Sequence, residues 1–333
     1  MALRKKICLL FAGGTIYPDN QGKWQVVKKE SDINKWLSEL PELRIVGEIE
    51  PVFLYGEDTG PITSQHWQVI AKAIIERYKH YDGFVLLHGL ESFIYSAAAI
   101  SLAFANLSKP IVITGSPLSH KKNERLADKA FKKYKSVGVR ANLLNATQVA
   151  LADVAETMAL YGNGIFRAGA LIRTGSEGNI IDSYADGKIG HIDFGIRFSG
   201  KVTVRSNRKL GYHAHYNPQV HMIEYHPGLS DDWLARQGRS IKGLIITVKT
   251  IDELSAKFRK QLLAVKRRGI IPVLYDRQAR SSDDRQFLIV NDMTLEMTLV
   301  KLMWSLGQSK DYAKVSKLMR LPVAHEKINL KNV

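Results

Sequence analysis

Over the first 170 or so residues, short continuous apolar runs alternate with amphipathic stretches. "ICLLFAGG" (7–14), "GFVLLHG" (83–89) and "KPIVITGS" (109–116) each read as a buried strand that stops at glycine. Between the first two, "ITSQHWQVIAKAIIERYKHYDG" places Trp67, Ile70, Ala71, Ile74, Tyr78 and Tyr81 at helical spacing behind a Thr63 cap. "SFIYSAAAISLAFANL" (92–107) and "RANLLNATQVALAD" (140–153) read as further helices, and "ETMALYGN" and "GALIRTGS" follow. Continuous apolar strands separated by helices predict an α/β fold, a parallel sheet covered on both faces.

Beyond Gly178 the pattern dissolves into glycine, charge and histidine as far as Pro218. "KGLIITVKT", a helix through "LSAKFRKQLLAVKRRG", "IIPVLYD" and a helix "TLEMTLVKLMWSL" then form a second, smaller α/β unit. The expected organisation is a larger amino-terminal domain over 1–195, a linker over 196–218 and a smaller domain over 219–333. A chain of 333 residues is long enough for two cores of this size.

Charge alters this picture only at the surface. Lys and Arg number 48 against 32 Asp and Glu, a net charge of +16, densest in 120–140 and 257–269. These segments lack nucleic-acid motifs and are poor in aromatics, so solvated helical faces explain them better than nucleic-acid binding. The single cysteine, Cys8, cannot form an internal disulfide, which fits a reducing compartment. The opening "MALRKKICLLFAGG" is basic and then apolar, but the apolar part is brief and runs into Gly-Gly-Thr, as a strand would. No apolar run is long enough to span a bilayer, and a cytoplasmic location is expected. His213, His215 and His221 have neither cysteine nor an acidic cluster beside them and read as surface histidines. No metal or cofactor is expected. "GNGIFRAG" lacks dinucleotide-binding spacing, and no phosphate-binding G-x-x-x-x-G-K-[ST] occurs.

The candidate chemistry lies where the strands end, since open parallel sheets bind ligands just beyond their carboxyl ends. Those ends carry Gly13-Gly14-Thr15, His88-Gly89 and Thr114-Gly115-Ser116. Their order, "FAGGTI", "DTGPI", "YDGFVLLHG", "KPIVITGS", "NLLNA" and later "EYHPGLS", resembles the bacterial L-asparaginase family, in particular its cytoplasmic type I branch. The resemblance spans nearly the whole chain. It implies a large and a small α/β domain, a homodimer or homotetramer, and a pocket for an aspartate- or asparagine-like ligand. By the same resemblance Thr15 stands at the nucleophile position, where a hydroxyl needs a neighbouring base to attack an amide. Gly14 and Gly89 let substrate approach, and Asp58, Thr59 and Gly60 match the substrate-holding turn.

The resemblance also implies a relay, a His-Gly-Thr-Asp-Thr turn with a lysine from a later strand, and here the chain departs from it. The turn reads His88-Gly89-Leu90-Glu91-Ser92, and Arg173 aligns with the lysine. A leucine neither gives nor accepts a proton, and a guanidinium does not act as a base at ordinary pH. A Glu91–Arg173 ion pair is the expected replacement for the Asp–Lys pair. Pro61 replaces the aspartate that would hold the substrate's amino group, and the loop after Thr15 is short, with Tyr17 and Trp24 out of register for a covering tyrosine. The favoured reading is a family member that has lost or strongly reduced asparaginase activity while retaining a Thr15-centred pocket. The alternatives are an active amidohydrolase working through Thr15, and a basic anion- or nucleic-acid-binding protein on the same scaffold.

Overall fold

The computed structural model describes residues 4–13, 16–18, 24–56, 62–115, 138–174, 181–199, 202–236, 240–278 and 286–328. The chain divides into two compact units, Met1–Ala214 and His215–Val333.

The first unit contains β1 (Lys6–Ala12), a hairpin of β2 (Ile16–Pro18) and β3 (Trp24–Val26), β4 (Glu48–Tyr55), β5 (Gly83–His88), β6 (Phe104–Ala105) and β7 (Ile111–Gly115). It continues with β8 (Thr157–Tyr161), β9 (Gly164–Arg167), β10 (Leu171–Arg173), β11 (Ile181–Ser183), β12 (Lys188–Ile192), β13 (Ile196–Phe198) and β14 (Gly211–Tyr212). Its helices are α1 (Glu30–Ser38), α2 (Leu43–Val46), α3 (Ser64–Arg77), α4 (Phe93–Ala103) and α5 (Val139–Val149). Eight strands form one sheet in the order β13-β12-β9-β8-β7-β5-β1-β4. From β4 to β8 the neighbours are parallel; β8, β9, β12 and β13 pair antiparallel.

Strand alternation splits the sheet between two cores. Ile7, Leu9 and Phe11 join Val85, Leu87, Val112 and Leu160 against Ile33 and Trp36 of α1 and Leu143 and Ala146 of α5. The intervening residues Cys8, Leu10, Phe84, Leu86 and Ile113 are equally buried, which is why the strands read as unbroken apolar runs. Tyr78, at the end of α3, stacks on Phe84 from that other side, with ring centroids 5.8 Å apart. Trp67 Nε1 donates to Ser96 Oγ across 3.0 Å and fastens α3 to α4. Burial pushes the Cys8 thiol up to about 12, so it packs as an inert apolar group.

Two features depart from the sequence expectation. The sheet is not parallel throughout: "LYGNGIF" folds back as a hairpin whose turn holds Gly162 at φ 61°, a conformation glycine adopts without strain. A fully buried strand is apolar whichever way its neighbour runs, so the pattern carries no direction. The stretch expected as linker, 196–218, contains β13 at the sheet edge and β14 paired with β6. Strands this short present no period to read.

The second unit is a four-stranded parallel sheet in the order β15 (Val220–Glu224), β16 (Gly243–Val248), β17 (Ile271–Asp276), β18 (Leu288–Val290). Its helices are α6 (Ala256–Arg267), α7 (Leu295–Gln308) and α8 (Tyr312–Arg320). Phe258, Leu262 and Val265 of α6 pack on Leu244, Ile246, Leu274 and Ile289. Among the described residues no helix is long and apolar enough to cross a membrane.

One charged pair lies wholly inside this unit. Lys301 of α7 and Glu326 form a salt bridge with both side chains fully buried. Lys301 Nζ also donates to the Leu321 carbonyl at 2.5 Å, while Glu326 accepts from the Val323 and Ala324 backbone N–H groups at 3.2 and 2.7 Å. The pair anchors the chain that follows α8 to the core. Removing one partner strands the other charge in a medium that cannot solvate it. Glu326→Gln is expected to lower stability in urea unfolding by about 3–5 kcal/mol, whereas Lys301→Met with Glu326→Leu loses far less.

Candidate active site

The carboxyl ends of β4, β1, β5 and β7 lie side by side, with Tyr55, Ala12, His88 and Gly115 in register across the four strands. The first turn begins at Gly13, whose N–H donates to the Tyr55 carbonyl and whose carbonyl accepts from the Gly89 N–H, each at 3.0 Å. A Cβ at Gly13 would lie 3.2 Å from the Gly56 carbonyl oxygen and the Tyr55 ring, tighter than most side chains tolerate. Glycine here allows the turn after β1 to lie close against the end of β4. Gly14 and Thr15 follow immediately; they, with Asp58, Thr59, Gly60 and Pro61, lie outside the described residues.

The second turn is described in full. Gly89 is half-buried, Glu91 exposed, and Leu90 only 6% exposed. Leu90 packs toward Gly115, where an added Cβ would meet its Cδ2 at 3.2 Å and the His88 carbonyl oxygen at 2.5 Å. Arg173, at the end of β10, reaches this turn as its position in the sequence led us to expect, but not through the expected ion pair. Its Nη2 donates to the Leu90 carbonyl at 2.6 Å and the Glu91 carbonyl at 3.1 Å. Among the described residues no salt bridge joins it to the Glu91 carboxylate. Two main-chain carbonyls at a turn are fixed acceptors that need a donor, and a guanidinium supplies several in one plane. Glu91 is exposed, and an exposed ion pair would add little.

His88 lies beneath the turn, 1% exposed. Its Nδ1 and the Gly89 carbonyl oxygen are 2.6 Å apart, which puts the ring proton on Nδ1 and leaves Nε2 as a buried acceptor without a protein partner. Burial pushes its pKa down to about 4, with His66 adding to the effect and the Gly89 carbonyl opposing it. The Tyr55 hydroxyl is likewise buried without a partner; its ring meets His66 edge-on, with centroids 4.8 Å apart. His66 in turn accepts the Thr63 N–H on Nδ1 at 3.0 Å, closing the start of α3.

Asn142, inside the "NLLNA" motif, had no role assigned from sequence. It is fully buried; its Nδ2 donates to the Gly115 carbonyl at 3.0 Å and its Oδ1 accepts the Gly162 N–H at 3.2 Å. It fastens the end of β7 to the β8–β9 turn. A polar residue in the apolar face of a helix was the available signal. His213, His215 and His221 are exposed, and among the described residues no group of three or more His, Cys, Asp or Glu side chains is placed to hold a metal.

The chain as a whole is similar to known proteins. Residues 6–205 match the family model "Asparaginase, N-terminal". The chain belongs to the asparaginase family. It is 26% identical to L-asparaginase 1 of Escherichia coli K12, covering 95% of this chain and 96% of that protein. It is also 26% identical to a glutamyl-tRNA(Gln) amidotransferase component of Methanosarcina acetivorans, over 96% of this chain and 78% of the relative. In fold it is similar to L-asparaginase I from Vibrio cholerae, with a TM-score of 0.76 at 24% identity over 98% of this chain and all of that one.

Because His88 is neutral in the fold, acid favours the unfolded chain. Its pKa falls from an ordinary 6.5 to about 4 on folding, so the stabilisation is complete above about pH 6.5 and is lost as pH drops toward 4. Between pH 7 and 4.5 that group alone removes about 2.5 kcal/mol. Urea unfolding of His88→Gln at the two pH values is expected to show an acid loss smaller by about that amount.

Proposed function

We propose that this asparaginase-family chain has lost or strongly reduced L-asparaginase activity and retains a Thr15-centred pocket for an aspartate- or asparagine-like ligand. The observation that carries the reading is the second turn. Leu90, buried against Gly115, stands where the family resemblance implies a proton-relaying threonine. Arg173, standing for the lysine, spends its donors on main-chain carbonyls. In this reading Thr15 keeps the nucleophile position without a relay to take its proton, and removing one member of a cooperating set costs orders of magnitude in rate. Gly14 and Gly89 leave room for the ligand, and Asp58, Thr59 and Gly60 bind it. Glu91 keeps a negative charge near the pocket. A homodimer or homotetramer in the cytoplasm completes the proposal.

A second reading, an active amidohydrolase using Thr15, draws support from the Gly89–Gly13 hydrogen bond, which keeps the first turn joined to the second. The L-asparaginase and amidotransferase relatives make L-asparagine and L-glutamine the amides to test first. Purified protein is expected to release ammonia from either at background rate, unchanged by Thr15→Ala. L-Aspartate at a hundredfold excess over its Kd is expected to add about 2.7 kcal/mol of stability, visible as a rise of a few degrees in Tm that Thr15→Ala abolishes. Turnover that Thr15→Ala removes would establish the second reading, and an unchanged Tm would remove the pocket.

A further inference from the structure

The eight-stranded sheet ends at β13, which pairs with β12 on one side only among the described residues. In that antiparallel pair Gly190 lies opposite Phe198, His191 opposite Arg197 and Ile192 opposite Ile196. The Ser199 N–H donates to the Ile189 carbonyl at 2.9 Å, and the Asp193 N–H to the Gly195 carbonyl at 3.2 Å. Hydrogen-bonded pairs alternate along such a ladder, so Gly195, Arg197 and Ser199 bond inward. The main-chain groups of Ile196 and Phe198 therefore point away from β12. An open edge is a template for another strand, and proteins commonly blunt it with lysine, proline or a bulge. Residues 194–198 read Phe-Gly-Ile-Arg-Phe, with a single cation.

The hairpin tip adds an anchor. Phe194 is fully exposed, more so than any other large apolar side chain among the described residues. The turn that presents it is held in place. Asp193 Oδ1 accepts the Gly195 N–H at 3.3 Å, and its Oδ2 lies 3.5 Å from Arg197 Nε and 3.7 Å from His191 Nε2. A Cβ at Gly195 would meet nothing within 4 Å. Ile196 and Phe198 are half-buried, packed against the core that the sheet shares with α1 and α5.

We infer that β13 is an interface to a second copy of this chain, the two edge strands pairing antiparallel across a two-fold axis so that the two sheets become one. The edge complements itself in one register. With Ile196 opposite Ile196 of the second copy, Phe194 lies beside that copy's Phe198. Arg197 then faces Gly195, where no side chain opposes it, with Asp193 of the second copy on the diagonal. The axis repeats each contact. Cross-strand aromatic pairs and opposite charges both stabilise a ladder. Sliding one strand by two residues would instead set Arg197 directly opposite Arg197, a like-charge pair that opposes that register. The inference rests on the homo-oligomer proposed above and gives it one specific contact.

The test is light scattering of the full chain at about 100 µM, a high concentration because a ladder this short buries less area than a typical stable interface. The expected mass is that of two chains or an even multiple. Phe194→Asp with Arg197→Asp is expected to weaken the association by about tenfold or more. Both side chains are exposed, so the variant should keep its Tm. Cross-linking reads the register. The native Cys8 is buried, so a new thiol reports alone. Oxidised Ile196→Cys is expected to run as a covalent dimer, because directly opposite Cα atoms, about 5.5 Å apart, are within disulfide reach. Arg197→Cys should cross-link far less. A monomer at this concentration would overturn both the interface and the oligomer it rests on. An oligomer that the double variant leaves intact and that Ile196→Cys does not cross-link would overturn the interface alone. Preferential cross-linking through Arg197→Cys would overturn the register.

Discussion

The turn between β5 and α4 depends on the Arg173 guanidinium. Its two hydrogen bonds to the Leu90 and Glu91 carbonyls hold main-chain groups that neither the sheet ladder nor the first turn of α4 satisfies fully. With the turn held in this way, Leu90 packs inward on Gly115, and Gly89 presents its N–H to Gly13. The turn is thus filled by side-chain packing and main-chain bonding. In the reading proposed above, that filling differs from the relay the family resemblance implies.

Burial reinforces that difference. His88 beneath the turn stays neutral, and Tyr55, two strands away, keeps its phenol proton, because burial disfavours the charged form of each. The groups directly under the strand ends are therefore uncharged near neutral pH, and the charge at the turn is on Glu91 and Arg173 at its outer side. The fully buried ion pair, Lys301 with Glu326, belongs to the second unit, where it fastens chain rather than moves protons.

Much of this was legible in the sequence, for identifiable reasons. Strands β1, β5 and β7 announce themselves because they are buried on both faces and end at glycines that allow close main-chain approach. Thr63 locates the start of α3, which ends at Arg77, short of the Tyr81 to which the helical spacing extends. The hairpin of β8 and β9, the edge strands β13 and β15 and the short β18 were not legible, since burial pattern carries neither strand direction nor edge position. At the candidate site the order of motifs identified the family. The bonding of Arg173 was not readable: spacing brings a cation to a turn but does not say whether a carboxylate or a carbonyl receives it.

If Leu90 and Arg173 leave Thr15 without a proton acceptor, putting the missing groups back should return the chemistry. The decisive quantity is Thr15-dependent ammonia release from L-asparagine by Leu90→Thr/Glu91→Asp/Arg173→Lys, set against the unaltered chain. Restoring the three groups is expected to raise the rate at least tenfold above a chain that runs at background. An unaltered chain that already deamidates asparagine through Thr15 as fast as the triple variant would contradict this reading of the site.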